Sequence, residues 1–214
     1  MSFGYLGNTS TKIKQQVKNN GVISVNDNLD LTSKGQDSGS LELIESKSIS
    51  GSSSAIFTDI KEAKYNVHLL KIIDFQPATD GTDCRIRFFE SGTEETASVY
   101  QFAFEYMTAG GSRQEVQDTS ESYLRATFNT GNSTNEKANS YIYFYNLGVS
   151  TKYSYQTMHT VLTNNSTDLN VAFGGGVLPQ ASTVNQIKLY NGSGNFTCTA
   201  NLYGVKKIWV ILDY

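Results

Sequence analysis

The sequence predicts an all-β fold, an antiparallel two-sheet sandwich of the jelly-roll kind with an extended N-terminal arm. Three observations lead to this fold class. Apolar and polar residues alternate over short segments, as in half-buried strands. Clusters of Gly, Asn, Asp, Ser and Thr separate these segments, and such clusters form turns. No convincing helical periodicity occurs, and 12% of the 214 residues are aromatic, which favours strands. A single sheet closed on itself is the second expectation.

The length and composition of the chain suit one domain with a sizeable core. The net charge of −3 disfavours a general nucleic-acid surface. Two cysteines, Cys84 and Cys198, are too few for a disulfide framework, so we expect both to be reduced. The longest apolar run, Ile208–Leu212, is far shorter than the ~20 residues of a membrane span. Because the N-terminus lacks a signal pattern, we expect synthesis in a cytoplasm.

Two regions are predicted, an arm at 1–40 and the sandwich at 41–214. The arm contains three lysines and no acidic residue before Asp27, and two apolar residues four apart allow a helical turn. Such a segment cannot form its own core, so we expect it to attach the protein to a partner. A loosely held terminus and a nucleic-acid contact are the alternatives. The candidate attachment residues are Lys12, Ile13, Lys14, Val17 and Lys18.

The strand pattern starts near Leu41 and continues to the end of the chain. Segment 65–75 is the most apolar, with apolar residues on both faces, which predicts a central strand. We expect Val67, Leu69, Ile73 and Phe75 on one face of it. About ten strands are predicted. They cover residues 40–49, 65–75, 84–90, 98–107, 122–128, 140–147, 153–163, 184–190, 196–205 and 208–214.

The stretch from Phe173 to Val205 is predicted to form a glycine loop followed by a β-hairpin. Val184–Tyr190 and Phe196–Val205 are its strands, and the sequence NGSGN supplies the residues that a tight reversal needs. The Gly174–Gly176 run precedes a strand and not a helix, so it does not predict a phosphate-binding loop. A polar stretch at 108–121 is predicted to be a long loop.

No catalytic or metal-binding motif occurs, and we expect neither an active site nor a cofactor. His68 and His159 are each predicted to be ordinary strand residues. Acidic residues are available, but their spacing does not define the carboxylate pair of a glycosidase. The best candidate for a recognition surface is the row of Tyr141, Tyr143 and Tyr145, which alternation places on one face of a strand. The alternative is that this face packs against another sheet.

Four segments carry a resemblance to a known class of proteins. They resemble structural proteins of tailed bacteriophage particles, especially of marine and cyanobacterial phages, over roughly residues 39–207. The closing strand, turn and strand ending in LYGVK is similar to β-sandwich domains of phage fibre and decoration proteins. The class implies no catalytic residues, so none is transferred. The segments are GSLELIES (39–46), IRFFESGTEETASVYQFAFEYM (86–107), FGGGVLPQAST (173–183) and QIKLYNGSGNFTCTANLYGVK (186–206).

Three roles are consistent with this resemblance. The first is a capsid decoration or small head or tail appendage protein, a virion component that binds other phage structural proteins through its arm. The second is a tail fibre tip that recognises host surface glycans through Tyr141, Tyr143 and Tyr145. A depolymerase is the least favoured. We expect a homo-oligomer, with a trimer favoured, and its candidate contact is the apolar tail Ile208, Trp209, Val210, Ile211 and Leu212.

Overall fold

The computed structural model describes residues 40–206, which, apart from Ser40, belong to the second of the chain's two units, Leu41–Tyr214. Every secondary-structure element in this described part is a strand, and no helix there could cross a membrane. The strands are β1 (Leu41–Ser52), β2 (Ser54–Phe57), β3 (Val67–Pro77), β4 (Cys84–Glu90), β5 (Thr93–Glu94), β6 (Tyr100–Thr108), β7 (Arg113–Glu121), β8 (Leu124–Arg125), β9 (Ala138–Tyr145), β10 (Ser154–Thr163), β11 (Leu169–Leu178), β12 (Val184–Asn191) and β13 (Phe196–Val205).

The strands form two antiparallel sheets that pack as a sandwich, which confirms the predicted fold class. The large sheet has eight strands in the order β1-β13-β3-β9-β10-β11-β6-β7. The small sheet has the order β2-β12-β4-β5, and β8 also pairs with β4. Each sheet turns alternate, apolar side chains inward, so that the core lies between the two sheets.

The chain path is that of a jelly roll, in which the two ends of the domain wind together. β1 pairs with β13 in the large sheet, and β2 pairs with β12 in the small sheet. The next two strands continue this arrangement, because β3 pairs with the other side of β13 and β4 with the other side of β12. The strands β10, β11, β6 and β7 extend the large sheet beyond this jelly-roll core.

The predicted hairpin between β12 and β13 is wrong, although both strands exist. They lie in different sheets, and the loop between them carries the chain from the small sheet to the large one. The corner between β1 and β2 lies beside this loop, since the backbone N–H of Asn191 donates to the Ser53 carbonyl. A pattern of turn residues between two alternating strands predicts the reversal. It does not say whether the second strand pairs with the first or crosses to the opposite sheet.

The segment after β8 covers the inner face of the large sheet where the small sheet does not reach. The Arg125 carbonyl accepts a hydrogen bond from the Gln156 side chain over 2.8 Å. The ring of Phe128 packs against Phe104 and Tyr106, with centroid distances of 5.5 and 4.6 Å. The predicted strand at 122–128 is therefore wrong in its length. Beyond β8, the backbone N–H and C=O groups of this segment bind side chains and backbone groups of other strands.

A bulge in β3 changes which face its last residues occupy. Between Ile72 and Phe75 the pairing with β9 shifts by one residue, and Asp74 has a positive φ of 55°. Phe75 is consequently buried in the core and not on the face of Val67 and Ile73, as regular alternation predicted. The prediction that this segment is a central strand is confirmed, because β13 and β9 flank β3.

Two segments predicted to be loops are strands. The residues after the turn at 108–112 form β7, a polar edge strand whose charged side chains suit an exposed edge. The Gly174–Gly176 run lies inside β11 and is flanked on both sides by β10 and β6. A Cβ atom at Gly174 would lie 2.4 Å from the Ala103 carbonyl oxygen, so a close approach of two strands requires glycine there.

Aromatic side chains join the two sheets at the centre of the core. Phe88 of the small sheet packs edge-on against Phe144 of the large sheet at 5.6 Å and lies 6.2 Å from Tyr100. The Tyr100 hydroxyl accepts a hydrogen bond from the Phe88 amide over 3.0 Å and donates to the Glu95 carbonyl at 3.3 Å. Burial raises the pKa of Tyr100, which keeps this hydroxyl neutral.

Candidate interaction surface on the large sheet

The outer face of the large sheet, which points away from the core, exposes most of the large apolar side chains on the described surface. Between residues 40 and 206, nine large hydrophobic side chains are exposed, and strand alternation places eight of them on this face. Exposed apolar groups concentrated on one face indicate an interaction surface. The eight are Leu41, Leu43, Met107, Tyr141, Tyr155, Val161, Leu169 and Phe173.

The centre of this face is a row of rings on the neighbouring strands β9, β10 and β11. Tyr141 pairs in register with His159, and His159 pairs with Phe173. The Tyr141 and His159 ring centroids are 5.2 Å apart and inclined by 70°, and those of His159 and Phe173 are 6.5 Å apart at 83°. The Tyr141 hydroxyl and His159 Nδ1 share a hydrogen bond of 2.5 Å. These edge-to-face contacts hold the row in one arrangement without burying it.

The structure places the three tyrosines of the predicted recognition row on this outer face. Tyr141 is 47% exposed, whereas Tyr143 and Tyr145 are half-buried. Tyr143 lies edge-on to Tyr141 at 6.4 Å, and the Tyr145 hydroxyl lies 3.3 Å from the Thr157 hydroxyl. The three side chains therefore extend along one strand, at right angles to the row that Tyr141 shares with His159.

A shallow cavity of about 340 Å³ opens on the outer face beside Tyr141. It lies where β3 bulges, and the Asp74 amide at the bulge donates to Asn139 Oδ1 over 3.0 Å. Its surface is mostly apolar, with a few polar side chains at the rim, a combination that suits an inserted side chain or a sugar ring. The side chains around it are those of Lys71, Ile73, Asn139, Tyr141, His159, Val161 and Val171.

The outer face of the small sheet has a different character, because its charges are paired within the domain. Lys188 and Arg87 both bind the Glu94 carboxylate, with distances of 2.9 and 3.1 Å. The Arg87 guanidinium also lies 4.8 Å from the Tyr190 ring, and that of Arg85 lies 4.0 Å from the ring of Tyr123. Burial acts to raise the pKa of Glu94, but hydrogen bonds from Lys188 and Arg87 lower it overall.

The titratable groups of the described residues form neither a nucleophilic nor a metal-binding arrangement. Within residues 40–206 no three His, Cys, Asp or Glu side chains are grouped to hold a metal ion. Cys84 and Cys198 are free and buried, and burial raises both thiol pKa values, that of Cys198 to about 12. His68 is fully buried, and its Nε2 donates to the Ile60 carbonyl over 2.8 Å. The hydrogen-bond partner of His159 is a tyrosine and not a carboxylate.

Two of the predicted sites lie outside the described residues. The attachment residues Lys12, Ile13, Lys14, Val17 and Lys18 precede residue 40, and the tail Ile208, Trp209, Val210, Ile211 and Leu212 follows residue 206.

Comparison with known proteins adds no relative. No protein-family model matches the chain, and no curated protein or solved structure is significantly similar to it. The functional argument therefore depends on the surface itself.

Sequence reasoning missed the partners of Tyr141 on this face. His159, Val161 and Phe173 alternate with core residues along β10 and β11, so their outward direction was predictable. Their place beside Tyr141 was not, because it depends on the register between strands. The signal available in the sequence was Val161, an apolar residue on the face of β10 that otherwise carries mostly polar residues.

Proposed function

We propose that the protein is a non-enzymatic structural component of a tailed-phage particle, either a capsid decoration or a small head or tail appendage protein. The observation that supports this role is the concentration of exposed apolar side chains on the outer face of the large sheet. A broad apolar face of this kind suits contacts between proteins in an assembly. In this proposal the protein assembles in the host cytoplasm and binds other structural proteins of the particle without a cofactor.

The N-terminal arm provides the attachment in this proposal, and the sandwich provides the contacts between neighbouring subunits. Residues 40–206 contain a hydrophobic core between the two sheets. The arm's side chains up to Asn26 carry three positive charges and no negative charge, whereas the whole chain carries a net charge of −3. This polarity suits an arm that binds an acidic surface while the domain projects from it.

The test compares particle incorporation of the full chain with that of a variant lacking residues 1–38. We expect the shortened protein to remain folded by circular dichroism and to lose at least about 90% of its co-sedimentation with particles. A full-length variant with Ile13→Ser and Val17→Ser should show the same direction of change. Normal incorporation of the shortened protein would refute attachment through the arm.

A receptor-binding fibre tip is the second candidate, and the exposed tyrosines beside the cavity favour it. Tyr141 offers an exposed ring and a hydroxyl next to Lys71 and Asn139, a combination that suits stacking and hydrogen bonding of a sugar. The triple variant Tyr141→Ala, Tyr143→Ala and Tyr145→Ala should then reduce adsorption to host cells while particles still assemble. Tyr153→Ala, an exposed tyrosine that precedes β10, is the matched control. Equal adsorption of the triple variant and this control would argue against receptor binding.

A further inference from the structure

On the outer face of the large sheet, the residues on the two sides of the fifth strand, β10, are complementary to each other. Across the five adjacent strands β3, β9, β10, β11 and β6, one row in register contains Lys71, Tyr141, His159, Phe173 and Glu105. A histidine is central, an aromatic ring lies on each side, and the two ends carry opposite charges. Arg113 holds Glu105 from the neighbouring strand, with Nη2 donating to Oε2 over 2.6 Å.

A two-fold axis parallel to β10 would make this row complementary to itself. When two such sheets face each other across this axis, β9 of one copy lies opposite β11 of the other, and β3 lies opposite β6. Lys71 then faces Glu105 of the second copy, and Tyr141 faces Phe173. Opposite charges at the rim and aromatic contacts near the axis are what a two-fold interface of one surface requires.

The next row shows the same relationship in side-chain size. It contains Leu69, Tyr143, Thr157, Gly175 and Ala103, again in register across the five strands. The axis places Tyr143 of one copy opposite Gly175 of the second, so that a large ring meets a position without a side chain. Leu69, which the single domain already buries, lies opposite the small, exposed Ala103. Large side chains facing small ones allow two sheets to approach to the usual ~10 Å.

We propose that this face binds a second copy of the chain and forms a face-to-face, two-fold dimer with its axis along β10. The dimer would cover Tyr141, Val161 and Phe173, which are 43% to 47% exposed in the single domain. The inference is independent of the proposed virion role. It also assigns a two-fold contact to this face, whereas the sequence alone favoured a trimer.

Sedimentation equilibrium of the full chain tests the proposal with a pair of matched substitutions. Ala103→Arg puts a charge opposite Leu69 inside the overlap, and we expect it to weaken dimerisation by at least ~100-fold. Ser48→Arg places the same side chain on the same face, but on β1, which the axis carries beyond the last strand of the second copy. It should leave the dimer intact. Circular dichroism establishes that both variants are folded.

Three results would overturn the proposal. They are a wild-type chain that stays monomeric at its highest soluble concentration, a wild-type trimer, and equal dimerisation of the two arginine variants. A monomeric chain that binds host glycans through Tyr141 would assign the face to receptor recognition instead.

The position of the axis can be measured with a spin label at Ser48→Cys, because the two native cysteines are buried. Ser48 lies four strands from β10, so two copies related by the proposed axis separate the labels by eight strand spacings. We expect a distance of roughly 40 Å by pulsed electron paramagnetic resonance. An axis at right angles to the strands would instead keep both labels over the β1 edge of the stack, at a shorter distance. The shorter distance would refute the proposed axis.

Discussion

The hydroxyl oxygens of Ser140 and Thr160 lie 2.7 Å apart, and each is within hydrogen-bond distance of the same carbonyl oxygen, that of Ala126. The two residues are on the neighbouring strands β9 and β10, and both are buried. They give the inner face of the large sheet a polar position at which the segment after β8 is fixed. These hydrogen bonds therefore link two strands of the large sheet to the segment that follows β8.

Removal of one of these hydroxyls should cost less than removal of both. Thr160→Val keeps the shape of the side chain, and we expect a loss of about 1 kcal/mol in the free energy of unfolding. Thr160→Val combined with Ser140→Ala leaves the buried Ala126 carbonyl without either donor, and should cost more than the two single changes added together. Urea unfolding measures all three variants. Thr157→Val, at an exposed position on the same strand, is the control. Strict additivity would contradict the shared role.

Gly174→Ala should destabilise the domain, because its Cβ would lie 2.4 Å from both the Ala103 carbonyl oxygen and Phe104 Cβ. Neither neighbour can move without disturbing the pairing of β11 and β6, so we expect a loss of at least about 2 kcal/mol. Thermal unfolding gives the measurement. Gly110→Ala is the matched control, since its Cβ would meet only the Thr108 hydroxyl at 3.7 Å. Similar melting temperatures for the two variants would refute the steric argument.

His68 should make the stability of the domain depend on pH near neutrality. Burial lowers the pKa of His68, because a second proton would charge an enclosed ring, and the hydrogen bond to the Ile60 carbonyl offsets this effect only in part. The unfolded chain takes up that proton below its ordinary pKa of about 6.5. Stability is therefore complete above about pH 6.5 and falls as the pH decreases, by at most about 1.4 kcal/mol per pH unit.

Urea unfolding between pH 7.5 and 5.5 measures this dependence, and the two histidines of the chain supply the comparison. His68→Gln should remove most of the slope, whatever its effect on stability at pH 7.5. His159→Gln, at an exposed position of β10, is the matched control. A slope that survives His68→Gln would assign the pH dependence to other groups.

The two cysteines should be unreactive in the folded protein. Burial raises the pKa of Cys84 well above its ordinary value and that of Cys198 to about 12, so neither thiol supplies the thiolate that reacts. A chromogenic disulfide reagent at pH 8 should label less than about a tenth of the thiols in the native protein and both thiols in denaturant. Fast labelling without denaturant would show that the core opens readily at these positions.

The strands with regular alternation were predictable, and those with few apolar residues were not. Alternate apolar residues identified β6 and β9, and a segment apolar on both faces identified β3 as a central strand. β7 escaped prediction because an exposed edge strand of charged and polar residues has the composition of a loop. The glycine run escaped because glycine favours turns, whereas here it allows close strand approach.

The candidate surface was predictable in part. Tyr141 could be placed on an outward or inward face by alternation, but the period of two cannot say which face meets solvent. The register of β9 with β10 and of β10 with β11 brings His159 and Phe173 beside it. Those pairings join residues far apart in the chain, and no local feature encodes them.

The sequence by itself determined the fold class, most of the strands and the placement of three tyrosines on one strand face, because these depend on alternation and turn residues within a few positions. Only the tertiary structure decided that β12 and β13 belong to different sheets, that Phe75 enters the core after a bulge, and that Lys71 and Glu105 end one row. Each of these follows from pairing between distant strands. Packing of the whole core selects that pairing from many locally equivalent ones.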